Sequence, residues 1–203
     1  MMTAFDLWEL FLNNIYQTSW IEVVAVFFGL LSVWYSTKVN ILVYPTGIVS
    51  VLIYVYICFV VGLYADMGIN VIYFLVSVYG WYNWLRPTAD QKQLPVRFNT
   101  RKMQWIGIIA SVIFFAVISQ ILVNFTDSTV PYIDAFTTAV FIVGMYFMAE
   151  KKVENWIYWI IGDVVSVPLY FYKGLVFTSF QYLIFLILAV KGLIGWWKEA
   201  NNA

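Results

Sequence analysis

The sequence predicts an all-α membrane protein, and three observations support this fold class: the composition, the length of the apolar segments and an internal repeat. Of the 203 residues, 63% are hydrophobic and only 11% are charged. A soluble domain carries about a quarter of its residues as charged side chains. We therefore expect a lipid bilayer to be the solvent of this chain. The net charge is zero, which does not indicate a nucleic-acid partner.

Seven segments are long enough to cross a bilayer as helices. A hydrocarbon core of about 30 Å requires roughly 17–25 apolar residues in helical form, and a helix satisfies its own backbone hydrogen bonds. The amino-terminal residues instead alternate apolar and polar side chains, which favours an amphipathic helix in the membrane interface over residues 1–19. The predicted spans are residues 20–37, 41–62, 68–85, 103–123, 132–149, 155–172 and 177–197.

The basic residues predict the orientation of these spans. Nine Lys and Arg residues fall in the loops after the odd-numbered spans and in the carboxyl-terminal tail, whereas the other side has Lys173 alone. Short loops rich in Lys and Arg stay in the cytoplasm. We therefore expect the amino terminus outside and the carboxyl terminus in the cytoplasm.

A repeated pattern divides the chain into two copies. The pattern Gly-Leu, sixteen residues, Gly, three residues, Trp begins at Gly62 and again at Gly174, an offset of 112 residues. Because each copy has three helices, two copies joined directly would have opposite orientations in the membrane. One connecting span between them reverses the second copy, so the two copies are predicted to be parallel, as in SWEET sugar transporters. This predicts a 3+1+3 architecture with substrate bound between the halves. The predicted units are residues 20–85 (first repeat), 86–131 (basic loop and connector helix) and 132–203 (second repeat and short tail).

Asp163 is the residue that most strongly indicates a binding site. It lies midway along the sixth span, where inserting a carboxylate costs roughly 2.5–3.5 kcal/mol. Trp156 and Trp159 share its helix face at i, i+3 and i+7. Two indoles and a carboxylate suit a flat, positively charged ring. The alternatives are a hydrogen bond from Asp163 to a neighbouring helix, an ion pair with Lys191 on the seventh span, and an interfacial position for Trp156.

Polar side chains on other spans complete the predicted binding site. Those on the third span recur along one helix face and can hydrogen-bond a ribose or a carboxamide, although Ser77 is better explained by a bond between helices. Pro45 and Pro168 are candidate hinges in the second and sixth spans, with a simple packing kink as the alternative. The candidate binding residues are Asn70, Tyr73, Ser77, Ser50, Tyr54, Gln181 and Tyr182.

Catalytic and metal chemistry are not indicated. The chain has no histidine, a single cysteine, and neither an HExxH nor a Walker A motif. We therefore predict neither an enzyme nor an ATP-driven pump, and no metal or cofactor. A membrane receptor that binds a ligand without transporting it would share these sequence features, and it stays an alternative alongside a less favoured intramembrane enzyme.

Two motifs resemble the PnuC family of vitamin transporters. The first comprises residues 63–66 and 79–84 around the third span, and the second comprises residues 153–159 with Asp163. The resemblance extends over about residues 20–196. It implies a SWEET-like fold and uptake of nicotinamide riboside, a precursor of NAD, through the bacterial inner membrane by facilitated diffusion with alternating access. It also implies a homotrimer, and a cytoplasmic kinase that phosphorylates the imported nucleoside.

The resemblance leaves the substrate open, because some members of the family carry thiamine or riboflavin. Asp163 stands where we expect the family to have Asn more often. An acid at this position favours a cationic substrate or a different vitamin.

Overall fold

The structure, a computed structural model, describes residues 9, 19–86 and 94–202. Within these ranges the chain forms seven α-helices, which confirms an all-helical protein. The predicted interfacial helix over residues 1–19 lies almost wholly outside the described residues. The helices, numbered in chain order, are α1 Trp20–Thr37, α2 Val43–Val61, α3 Tyr64–Leu85, α4 Arg101–Phe125, α5 Pro131–Ala149, α6 Asn155–Tyr172 and α7 Val176–Asn202.

Five of these helices are long and apolar enough to cross a membrane: α1, α2, α4, α5 and α7. Helices α3 and α6 have 22 and 18 residues but are less apolar, because they carry many of the polar and aromatic side chains of the predicted binding site. Such helices are stable in a membrane when their polar faces point into the bundle.

Among the described residues, four with positive φ shape the turns, in two pairs 112 positions apart. Val39 and Lys151 have φ of 52° and 50°, and Gly62 and Gly174 have φ of 82° and 74°. The two glycines follow α2 and α6, where a left-handed residue directs the chain away from the helix axis at little steric cost.

Six helices form a closed ring. Helix α1 packs on α2, α2 on α3, α3 on α5, α5 on α6, α6 on α7, and α7 on α1. Helix α4 stands outside the ring, where it packs on α5 and touches α3. Its outer face exposes a row of apolar side chains that includes Trp105 and Ile109.

The two ends of the bundle differ in charge. We call the end that carries residues 38–42, 94–100 and 150–154 the basic end, and the end that carries residues 62–66 and 126–134, together with Lys173, the acidic end. The larger hydrophobic core lies toward the basic end.

Two tryptophans at the basic end join opposite sides of the ring. Trp84 Nε1 of α3 donates to the backbone carbonyl of Met148 on α5 at 3.2 Å, and Trp196 Nε1 of α7 donates to that of Ser36 on α1 at 2.8 Å. The two indole rings contact each other, with centroids 6.0 Å apart, and both are buried. We call Trp84 and Trp196 the tryptophan pair. Its two bonds hold α1–α3 against α5–α7.

The segment of residues 94–100 covers the basic end. Val96 is buried in the core beside the tryptophan pair. The Arg97 N–H donates to the Lys151 carbonyl, and the Val153 N–H donates to the Arg97 carbonyl, both at 3.1 Å. Lys151 Nζ lies 4.4 Å from the Trp84 ring, and burial lowers the pKa of this amine. The segment therefore ties the α3–α4 connection to the α5–α6 turn.

Aromatic residues 112 positions apart make equivalent contacts. Tyr44 packs edge-on against Trp84, with ring centroids 5.1 Å apart and planes at 89°. Trp156 packs edge-on against Trp196 at 5.7 Å and 87°. The same contact therefore occurs once in each half of the ring.

Two glycines, also 112 positions apart, allow these contacts. A Cβ atom on Gly80 would lie 2.5 Å from the Tyr44 hydroxyl oxygen, and one on Gly192 would lie 2.4 Å from the Trp156 ring. Any larger residue would displace the ring, so the glycines of the repeated sequence pattern serve close packing.

The two proline residues predicted as hinges differ in position. Pro168 lies inside α6, where its missing N–H interrupts the helix hydrogen bonds. Pro45 is the third residue of α2, in the first turn, where backbone N–H groups have no partner within the helix. Pro45 therefore does not interrupt the hydrogen bonds of α2, which rules out the alternative of a kink inside this helix, and the hinge role of both prolines stays a prediction.

Candidate functional site

One face of α6 carries the polar and aromatic residues of the candidate site. Trp159, Asp163, Ser166 and Tyr170 stand at i, i+4, i+7 and i+11, which is one helix face. Asp163 and Ser166 are buried, with exposed fractions of 2% and 0%. Sequence reasoning missed Ser166 and Tyr170, although extending the predicted stripe two turns beyond Asp163 would have found both.

The Asp163 carboxylate has neither an ion-pair partner nor a hydrogen-bond partner within residues 19–86 and 94–202. Lys191, the alternative partner, is exposed on α7. A buried carboxylate without a partner is costly, and bringing a cation beside it would relieve that cost. The geometry therefore favours Asp163 as a group that meets a cationic ligand.

Four stacked rings, which we call the aromatic column, extend from Trp159, one helical turn before Asp163, toward the acidic end. Trp159 stacks on Phe141 of α5, with centroids 5.2 Å apart and planes at 28°. Phe141 stacks on Tyr182 of α7 at 6.0 Å and 13°, and Tyr182 stacks on Tyr170 at 4.9 Å and 9°. Phe141 was not predicted from the sequence, where it resembles any aromatic residue of an apolar span.

The column ends at a cavity of about 400 Å³ at the acidic end, which Tyr170 lines. Three carboxylates also line it, those of Asp66, Asp127 and Asp134. Lys173 of the α6–α7 turn pairs with Asp134 at 2.6 Å. The basic end is closed by the tryptophan pair and residues 94–100, so the column is reached from the acidic end.

Trp156 lies away from the column. Its exposed fraction is 2%, its ring packs under Gly192, and its Nε1 has no hydrogen-bond partner in the described residues. At the basic end the face of α6 that carries Trp156 meets α7 instead of a cavity. Trp156 is therefore buried in the core of this structure and is not interfacial, whereas its predicted binding role stays a prediction.

The other predicted binding residues differ in their contacts. Ser50 Oγ donates to the Ala25 carbonyl at 2.8 Å and so joins α1 to α2. The Asn70 amide donates to the Asp66 carbonyl of its own helix at 2.9 Å. Tyr182 belongs to the aromatic column, whereas Tyr73 packs against the larger hydrophobic core and against a second, smaller core formed by α4 and α5. Ser77 is buried on α3, and Tyr54 and Gln181 are half-buried on α2 and α7.

Sequence comparison identifies the family. A family model described as nicotinamide mononucleotide transporter matches residues 19–198. The chain belongs to this family. The predicted resemblance to the PnuC family is confirmed, and the chain is a multi-pass membrane protein of a transporter family.

Individual relatives are similar over most of their length. The nicotinamide riboside transporter PnuC of Escherichia coli (strain K12) is 28% identical, over 92% of this chain and 89% of the relative. The riboflavin/roseoflavin transporter RibM of Streptomyces davaonensis is 29% identical, over 90% and 87%. A crystal structure of the vitamin B3 transporter PnuC superposes with a TM-score of 0.72 at 26% identity, covering 100% of this chain and 94% of that one. These relatives are transporters, which confirms transport and not catalysis as the class of function.

Proposed function

We propose that the chain carries nicotinamide riboside across the bacterial inner membrane by facilitated diffusion with alternating access. The observation that carries this proposal is the buried, unpartnered Asp163 beside the aromatic column. The pyridinium ring of nicotinamide riboside is planar and positively charged, so it can stack on Trp159 while its charge faces the carboxylate. The ribose and carboxamide can hydrogen-bond polar groups such as the Ser166 hydroxyl, which has no partner among the described residues.

Two other vitamins are alternatives. Thiamine also has a cationic ring, so the same two residues suit it. The similarity to a riboflavin/roseoflavin transporter makes riboflavin a second candidate, but its ring system is uncharged and leaves Asp163 without a counter-ion.

Binding of the three vitamins to the purified protein tests the substrate. Titration calorimetry should give the tightest binding for nicotinamide riboside, because it combines the charge with a single flat ring, and the weakest for riboflavin. Tighter binding of thiamine would change the vitamin but keep the role of Asp163. Tightest binding of riboflavin would contradict the cation-binding site.

The 3+1+3 architecture is part of this proposal, with residues 20–85 and 132–203 as parallel repeats and residues 86–131 as the connecting unit. The ring supports it, since α1–α3 pack among themselves and against α5–α7 in the same order. Trp84 and Trp196 are 112 positions apart and touch each other, as do Ser36 and Met148 at 3.3 Å. Equivalent residues in mutual contact are expected beside a twofold axis.

The basic end faces the cytoplasm in this proposal, which leaves the amino terminus outside. The cavity then opens to the outside, and the tryptophan pair closes the cytoplasmic side. Alternating access requires the two halves to rock, and the two tryptophan hydrogen bonds must break when they do.

Facilitated diffusion is favoured because no second carboxylate lies beside Asp163 in the described residues to form a proton relay. A cytoplasmic kinase would then trap the imported nucleoside by adding a charged phosphate.

A homotrimer is expected from the resemblance. The exposed apolar face of α4 is available for contact with lipid or with other copies, and the mass of the detergent-solubilised protein tests this expectation.

A further inference from the structure

Phe141 has an unusual position in the aromatic column. It stacks on both Trp159 and Tyr182, and 7% of it is exposed. It therefore connects Trp159 and Asp163 to the two tyrosines that extend toward the cavity. A planar molecule that moves from Tyr170 to Trp159 has to pass this ring or replace it in the stack.

Gly162 holds the Phe141 ring close to α6. A Cβ atom on Gly162 would lie 2.1 Å from Phe141 Cε1, and its next two neighbours are also atoms of that ring. The ring therefore lies against the α6 backbone, immediately before Asp163 in sequence. Because the backbone blocks one side, the ring cannot retreat toward α6 to enlarge the site.

The first half of the ring of helices lacks this aromatic contact. The residues 112 positions before Phe141 and Gly162 are Gly29 and Ser50, so both positions hold small residues in the first half. A Cβ atom on Gly29 would lie 3.2 Å from Ser50 Oγ, and that hydroxyl is already bonded to a backbone carbonyl. The four stacked rings of the aromatic column thus all belong to the second half.

We propose that Phe141 determines the size of the ring that the site accepts. Its side chain stacks on the single pyridinium ring of the substrate and fills the space that a three-ring flavin would need beside Trp159. This inference rests on the proposed function, and it adds a specificity-determining residue and a substrate class of single-ring heteroaromatic cations. Loss of the aromatic face of Phe141 weakens binding of the single pyridinium ring, whereas loss of the volume of Phe141 allows the three-ring flavin to bind.

Two substitutions separate these effects. Phe141→Leu keeps most of the volume but loses the aromatic face, so affinity for nicotinamide riboside should fall about three- to tenfold while riboflavin stays excluded. Phe141→Ala loses both, so riboflavin binding should become measurable. Phe147 provides the control, because it lies on the same helix, is also buried, and packs on Tyr158 away from the column. Phe147→Leu should leave both affinities of the folded protein unchanged.

Calorimetry on the purified variants, with thermal melting to confirm folding, decides the inference. If Phe141→Leu binds nicotinamide riboside as the unmodified protein does, the stacking role is wrong. If folded Phe141→Ala still excludes riboflavin, the size-filtering role is wrong, and if Phe141→Ala does not fold, the leucine variant still tests stacking. Failure of the unmodified protein to bind nicotinamide riboside would instead overturn the proposed function.

Discussion

Asp163→Asn should weaken binding of nicotinamide riboside about five- to hundredfold without unfolding the protein. The substitution keeps the shape of the side chain and removes its charge. A contact with a charged group contributes about 1–3 kcal/mol, which corresponds to this range of affinity. The carboxylate has no other partner within the described residues, so the loss should fall on the ligand and not on the fold.

A neutral ligand and two further variants make the test specific. The reduced, uncharged riboside should lose much less affinity on Asp163→Asn. Trp159→Ala should weaken both ligands, because stacking does not require a formal charge. Asp127→Asn, in the α4–α5 loop at the cavity, is the matched control and should have a small effect. Equal losses for the charged and neutral ligands would contradict a counter-ion role and leave Asp163 as a hydrogen-bonding residue.

Replacing both members of the tryptophan pair by phenylalanine should open the basic end, which is the cytoplasmic end in the proposed orientation. Trp84→Phe with Trp196→Phe keeps aromatic packing but removes both hydrogen bonds to the Met148 and Ser36 carbonyls. Each bond contributes about 0.5–1.5 kcal/mol, so together they shift the population of the open state about five- to hundredfold. A cysteine in place of Met145, one turn inside the bundle from Met148, reports the opening in a Cys58→Ser background.

The measurement is the rate at which a membrane-impermeant maleimide labels this cysteine in inside-out vesicles. The rate should rise about five- to hundredfold in the double variant. Trp105→Phe, on the exposed face of α4, should leave it unchanged. An unchanged rate in the double variant would show that the pair does not close the site. Faster labelling from the outside of intact cells would contradict the proposed orientation.

The helices could be predicted from the sequence because the signal is local. A run of apolar residues long enough to cross a bilayer defines a helix almost without reference to its neighbours, and the predicted bounds of α1 and α6 agree with the structure. Asp163 could be identified because a carboxylate in the middle of an apolar span is costly in a bilayer, which indicates a functional role. Its burial and its lack of a partner are consistent with that reasoning.

The remainder of the site depends on how helices approach one another. Phe141 becomes part of the column because α5 and α6 meet closely at Gly162, and one sequence does not reveal that contact. The spacing of Trp156, Trp159 and Asp163 in the sequence places all three on one face of α6. At the position of Trp156, however, the neighbouring helices pack tightly, and Trp156 lies in the core. Helical periodicity assigns a residue to one face of a helix, but only the packing of neighbouring helices determines whether that face contacts another helix or a cavity.

Flux of nicotinamide riboside into sealed vesicles that contain the purified protein tests the central claim most directly. With radiolabelled substrate outside and no imposed ion gradient, the concentration inside should rise to equal that outside and then stop. Vesicles that contain the Asp163→Asn variant should fill more slowly at low substrate concentration. Binding without flux would show that the chain is a receptor, and accumulation that follows a proton or sodium gradient would contradict facilitated diffusion.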